Sequence, residues 1–191
     1  MRSRSSNVAA QPQTLTVSYH TADDLTDIEP QLVKVYAEVY ADEAKADPFF
    51  AVDQFADRLR RHAAGPRWSC ALGTVDGRPI GYAYGFARTS SYQWGGLLTP
   101  VPAELLQETD TRTFALCEVM VLAEFRGTGT ARTLHEELLN HRREERSHLL
   151  VEEDHPRVRA LYERWGYTEM GTMQPYADGP RYTSMWRPIT L

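Results

Sequence analysis

The chain has 191 residues with 42% hydrophobic and 25% charged side chains, a balance that suits one soluble globular domain and excludes disorder as the default. Its formal net charge of −5 argues against nucleic acid or an anionic membrane as the main partner, and no apolar run approaches the ~20 residues needed to span a bilayer. Cys70 and Cys117 lack metal-ligand spacing and read as buried reduced thiols, so no metal is assigned and the cytoplasm is the expected location.

Residues 1–13 carry Arg2 and Arg4 but no hydrophobic signal core, and read as a flexible tail before a single domain over 14–191. Leu15 to Tyr19 forms a first strand. Thr21 followed by Ala22-Asp23-Asp24 is a helix-start signal, and a helix is expected from about Asp27 to Ala44, with Leu32, Val35, Tyr36, Val39 and Tyr40 on one face. A second helix passes through Phe55, Leu59 and Arg60 until Gly65-Pro66 stops it. Two strands follow, Trp68 to Thr74 and Pro79 to Arg88, paired antiparallel around Asp76-Gly77, a hairpin signal.

Thr89 to Arg112 has no clear period and holds Tyr92, Trp94 and one short helix over Ala103 to Gln107. Long irregular segments of this kind are commonly functional or mobile. Phe114 to Leu122 is rich in Val and Leu and reads as a strand buried on both faces. It runs into a turn with two glycines and then a helix whose apolar positions are Ala131, Leu134, Leu138 and Leu139. His148 to Val151 is a parallel neighbour reached by that helical crossover. Pro156 opens a helix through Val158, Leu161, Tyr162 and Trp165, which Gly166 ends. Tyr167 to Gln174 and Arg181 to Trp186 complete the order.

Strand, glycine turn and helix together make an anion site. The first helical N–H groups are unpaired and aimed into the turn, where the macrodipole adds positive charge. Gly127 and Gly129 admit close approach, and Arg126 and Arg132 bracket the turn. A P-loop is excluded because Gly129 is followed by Thr130 and Ala131 instead of Lys and Ser/Thr. A dinucleotide fingerprint is excluded because Arg132 stands where a third Gly or Ala belongs, and because the turn comes late in the chain.

Arg126, Gly129 and Ala131 match the signature of the acyl-coenzyme A site of the GNAT superfamily of N-acetyltransferases, which this stretch resembles. Val121-Leu122-Ala123-Glu124-Phe125 also fits, with Ala123 where that family commonly has Pro. Ala160-Leu161-Tyr162-Glu163-Arg164-Trp165-Gly166-Tyr167 is similar to a second family segment. The element order matches too, over roughly Leu15 to Trp186. The resemblance implies an α/β (α+β) fold, a single domain with a mixed central sheet of about seven strands flanked by about four helices.

It further implies that acetyl-CoA is the co-substrate. Val119, Met120 and Val121 would line its arm, and Arg126, Gly127, Thr128, Gly129, Thr130, Ala131 and Arg132 would cradle its pyrophosphate. His155 stands where the family often has an Asn on the pantetheine arm. Tyr162 corresponds to the usual general acid, since a phenol of unperturbed pKa ≈ 10 stays protonated at neutral pH, and the same ring also suits a core helix face. Carbonyl polarisation would come from a main-chain N–H near Val121.

Glu118 is the only charged residue between Thr113 and Leu122. Burial would raise its pKa toward general-base strength, or it serves as a structural carboxylate. Strand alternation places Cys117 on the opposite face, which disfavours a covalent intermediate. The expected reaction is N-acetylation of a primary amine of a small molecule or peptide. The alternatives are a protein N-acetyltransferase or a non-catalytic acyl-CoA-binding module, working as monomer or homodimer. Phe49, Tyr92 and Trp94, with Glu118, are the candidate acceptor contacts. Thr89 to Arg112 and Asp42 to Asp53 would overhang the site, with Glu108 and Asp110 favouring a cationic amine.

Overall fold

A computed structural model describes residues 14–177 and 179–190, so the expected tail over 1–13 lies outside the described residues. The elements are β1 (Leu15–Thr21), α1 (Leu25–Val39), α2 (Glu43–Ala46), α3 (Val52–Ala63), β2 (Ser69–Val75), β3 (Arg78–Ala87), α4 (Ala103–Leu106), β4 (Thr113–Val121), α5 (Thr130–Asn140), β5 (Arg146–Glu152), α6 (Pro156–Arg164), β6 (Thr168–Met173) and β7 (Tyr182–Pro188). Seven strands form one mixed sheet in the order β1-β2-β3-β4-β5-β7-β6. The α/β class and strand count match expectation. Of the six α-helices among the described residues, α2 and α4 are single turns.

Alternation divides the sheet into two faces. Cys70, Leu72, Tyr82, Tyr84 and Met120 point toward α1 and α3, where they meet Leu32, Val35, Tyr36, Phe55 and Leu59. Ala71, Ala83 and Val121 point the other way, toward Leu134, Leu138 and Leu139 of α5. The small residues on that second face let α5 lie close: a Cβ on Gly81 would stand 3.1 Å from a Leu134 methyl and 2.6 Å from the Met120 carbonyl oxygen. Close docking fixes the start of α5, and with it the glycine turn, over the end of β4.

Two expectations change. Helix α1 stops at Val39 instead of Ala44, because Tyr40 leaves helical geometry (φ −106°, ψ 24°) and packs its ring 4.7 Å from Tyr36 and 4.8 Å from Phe50. That contact draws the segment after α1 back against it. The second concerns Thr89 to Arg112. Leu98 N–H donates to the Thr172 carbonyl at 2.9 Å, Gln174 N–H to Gly96 at 2.7 Å, and Leu97 bridges Met173. The segment therefore covers the outer edge of β6, satisfying backbone groups that an edge strand leaves open. The β2–β3 hairpin is as expected, with Asp76 at φ 50° and Gly77 at φ 76°.

Candidate active site

Strands β4 and β5 run parallel but pair only through Thr113–Arg146, Phe114–Ser147 and Ala115–His148. Beyond Ala115, β4 continues to Val121 beside β3 alone, so the sheet is split at its centre. Leu122 N–H donates to the Ile80 carbonyl on β3 at 2.9 Å. Because main-chain groups alternate along a strand, Met120 and Glu118 also face β3, while Val119 and Val121 direct theirs into the split. Met120 thus differs from its expected role: its side chain lies in the core, with its sulfur 3.4 Å from Tyr82 Oη.

A register shift between Leu116 and Glu118 leaves Cys117 as a bulge. The expected opposition of Cys117 and Glu118 fails there: Cys117 packs against the same core cluster as Tyr82 and Tyr84, on the α1/α3 side. Burial, with the neighbouring Glu118 charge, pushes the Cys117 thiol far up. It stays protonated and is a poor nucleophile.

At the end of β4 a 3-10 turn, Ala123–Phe125, leads into Gly127 (φ 76°) and Gly129 (φ 91°). Both glycines are left-handed, a conformation that side chains disfavour. Thr133 N–H makes the first helical bond, to Gly129 at 3.0 Å, which leaves the N–H groups of Thr130, Ala131 and Arg132 without an acceptor in the helix. Arg126 Nε donates to the Val121 carbonyl at 3.2 Å, tying the turn to the split. Among the described residues neither Arg126 nor Arg132 forms an ion pair. Thr128 Oγ1 donates to Phe125 O at 2.7 Å and lies 2.8 Å from Thr130 Oγ1. Free amides, left-handed glycines and unpaired cations fit a pyrophosphate.

Glu118 and Tyr162 sit on opposite faces of the split. Glu118 Oε1 accepts from Arg58 Nη2 of α3 at 3.2 Å, and Oε2 from Tyr82 Oη at 3.0 Å. Burial raises its pKa, while Arg58, Tyr82 and Tyr84 pull it down. Tyr162 packs edge-on to Trp165 at 5.3 Å and Tyr167 at 5.5 Å within the α5/α6 core. Its hydroxyl makes no hydrogen bond among the described residues, and burial raises its pKa, so the proton stays on. The ring is a core aromatic and its hydroxyl is free to donate.

On the face that carries Glu118 lies a cleft of about 1100 Å³ lined by the α2–α3 connection, α3, β4, β5 and the β6–β7 connection; Glu118 itself does not line it and meets it through Arg58, its partner on the cleft wall. Phe49 lines it, 62% exposed, with Arg58 5.5 Å from its ring centre. Tyr92 and Trp94 do not line it. Instead their rings lie 4.0 and 4.1 Å from the Arg88 guanidinium, which borders the cleft. Arg88 Nη2 donates to His148 Nδ1 at 3.0 Å, and arginine has only donors, so His148 carries its proton on Nε2 and donates to Ser184 Oγ at 2.7 Å. Burial, then Arg88 and Arg146, drives the His148 pKa well down.

The acids expected to greet a cationic amine are turned elsewhere. Glu108, 1% exposed, accepts from Arg146 Nη2 and Thr113 Oγ1 at 3.0 Å each, and Asp110 accepts from Ser90 N–H. His155 is the exposed residue before α6, near Glu152 and Asp154 at 4.0 and 3.9 Å. These three bring ligand atoms within 4.8 Å of one another, a grouping that sequence spacing did not suggest. Sequence reasoning also missed Arg58, Tyr82, Arg88 and His62. Arg58 had a signal, a cation three residues after Phe55 on an apolar helical stripe. His62 lines the cleft beside Tyr84 Oη at 3.2 Å, and burial with Arg58 and Arg61 lowers it to about 4, so it is neutral at pH 7.

The chain is similar in structure to the ribosomal-protein-S18-alanine N-acetyltransferase of Escherichia coli, with 19% identity and a TM-score of 0.60 over 93% of this chain and 96% of that one. An acetyltransferase of Thermus thermophilus matches at 17% identity and TM-score 0.58, over 92% and 97%. Mutant forms of the spermidine/spermine N-acetyltransferase SpeG of Vibrio cholerae match at 17% identity and TM-score 0.53, over 92% and 95%. A comparison with curated proteins finds no match. The acetyltransferase (GNAT) family model matches residues 30–167, a span that runs from within α1 through α6 and takes in the split strands and the glycine turn, and the chain therefore belongs to the GNAT family of acetyltransferases.

Proposed function

We propose that the chain transfers the acetyl group of acetyl-CoA to a primary amine of a small molecule or peptide, by direct attack in a ternary complex. The observation that carries this reading is the split between β4 and β5, with Glu118 on one face, Tyr162 on the other and the glycine turn at its end. Acetyl-CoA, when bound, supplies an activated thioester. The amides of Thr130 to Arg132, with Arg126 and Arg132, hold the pyrophosphate. Val119 and Val121 offer main-chain groups to the arm, and His155 stands at its edge.

On the cleft side Glu118 takes the proton from the acceptor ammonium, which must be lost before nitrogen can attack. Burial raises its pKa and so makes it a stronger base than a solvated carboxylate. Val121 N–H, fixed in the split, donates to the oxygen where negative charge gathers. Tyr162 then gives its proton to the departing sulfur and is restored by the second proton that the nitrogen sheds as the amide forms. The protonated Cys117 thiol supports direct transfer over an acetyl-cysteine route.

Incubation of the protein with acetyl-CoA and a panel of primary amines, read by thiol release and product mass, tests the proposal. Release that depends on the amine is expected. Tight acetyl-CoA binding with no release across the panel would establish a non-catalytic binding module instead.

A further inference from the structure

One end of the acceptor cleft carries positive charge that the protein leaves uncompensated. Arg88 and Arg146, 6% and 4% exposed, share the single carboxylate of Glu108. Arg146 reaches it at 3.0 Å, but Arg88 Nη1 approaches only to 3.8 Å and has no hydrogen bond. Arg88 Nε makes no hydrogen bond among the described residues either. The one good bond of this guanidinium goes to His148, a neutral imidazole. Arg61, exposed on the same cleft wall, forms no ion pair among the described residues. A buried guanidinium without full compensation is costly and projects its field strongly through a low-dielectric wall.

We propose that the acceptor is a primary amine carrying a carboxylate, and that this carboxylate is received at the Arg88 end of the cleft. The inference rests on the acetyl-transfer reading and specifies its substrate class. A single negative charge matches the imbalance of two guanidiniums against one carboxylate. The strand register sets the length of the acceptor. Glu118 stands opposite Tyr84 on β3, and Arg88 is four residues farther on, ~13 Å at 3.3 Å per residue. Arg88 Nη2 reaches His148, which pairs with Ala115, and Ala115 stands opposite Phe86, two residues from Tyr84 on β3, so the guanidinium lies about two extended residues from Glu118 along the strands, on the order of 7 Å. A free α-amino acid, with both groups on one carbon, is too short. A dipeptide or an ω-amino acid fits, and the Phe49 and Phe50 rings lining the cleft favour an apolar body between the two ends.

The test compares glycyl-phenylalanine with glycyl-phenylalaninamide, which differ only in the carboxylate. The acid should be acetylated with kcat/KM higher by about ten- to a hundredfold, the range of one charge-assisted hydrogen bond. Arg88→Gln should abolish the preference with unchanged affinity for acetyl-CoA, and Arg88→Lys, which keeps the charge in the network, should retain part of it. Equal rates for the two peptides, or a preference for the amide, would overturn the proposal even if the Arg88→Gln chain does not fold. Binding of N-acetylglycyl-phenylalanine and its amide, measured by calorimetry, separates this proposal from the proposed reaction. If neither peptide turns over, tighter binding of the acid still upholds the carboxylate site, and equal or absent binding overturns it.

Discussion

The pair formed by Arg58 and Glu118 joins fold stability to the proposed chemistry, and Arg58→Gln separates its parts. The two side chains are 21% and 14% exposed and 3.2 Å apart. Breaking a fully buried pair costs about 3–5 kcal/mol, and residual solvent contact here reduces that to about 2 kcal/mol at neutral pH. The guanidinium also lies 5.5–5.7 Å from the Tyr36, Phe49 and Phe55 ring centres, contacts together contributing about 0.5–1 kcal/mol. Only the first part depends on pH. Glu118 is already raised by burial, and without Arg58 it rises further. A carboxyl raised in the folded state keeps its full stability contribution below its unfolded pKa and loses it as pH rises through the folded pKa. The variant should therefore be about 3 kcal/mol less stable than the parent at about pH 8. The difference should shrink toward the ring contribution near pH 4, around the unfolded Glu value of ≈ 4.3. Urea unfolding at both pH values reads this directly. An equal loss at both, or a larger loss in acid, would refute the assignment of Glu118 as a burial-raised carboxyl held by Arg58.

Tyr162→Phe should lower kcat by ~10²- to 10⁴-fold at saturating acetyl-CoA and amine, with donor affinity nearly unchanged, because the proton is needed only in the transition state. An unchanged kcat would leave Tyr162 as a packing residue. At Gly129, with φ 91°, Asp and Asn share a size and a tolerance of left-handed geometry, so the comparison isolates charge. Gly129→Asp should bind acetyl-CoA at least about tenfold more weakly than Gly129→Asn by calorimetry, and equal affinities would remove the turn from the donor site. Gly85→Ala should destabilise the chain by about 1–3 kcal/mol in thermal unfolding, since its Cβ would stand 2.2 Å from the Ala115 carbonyl oxygen. A neutral effect would show that the β3–β4 junction yields freely.

The glycine turn was legible because its geometry is local. Two glycines at positive φ, a helix start and flanking arginines follow one another within seven residues, and the apolar spacing of Leu134 and Leu138 predicts the helix that carries them. The cleft depends on contacts between distant segments. Nothing in the periodicity of β4 marks Cys117 as a bulge, since a single extra residue leaves an apolar run unchanged, and the face assigned to Cys117 was wrong for that reason. Glu108 looked like a free acid on an irregular loop. Its partner Arg146 lies 38 residues on, and only the fold brings the two together. Tyr92 and Trp94, expected as acceptor contacts, instead cover Arg88. They reach the cleft only through the arginine they cover.

A sheet whose halves share three rungs at one end is mechanically a clasp. Strands β1 to β4 form one leaf and β5, β7 and β6 the other, hinged at Thr113 to Ala115 and unfastened over the rest of β4. No ladder holds the leaves at the open end, so a molecule seated there becomes the missing fastener, and its binding free energy adds to the work of pulling the leaves apart. Stability then grows with free ligand concentration as RT ln(1 + [L]/Kd). Exchange of the Val119 and Val121 amides and of those on the facing edge of β5 would slow as ligand is added, so that exchange at this seam reports binding.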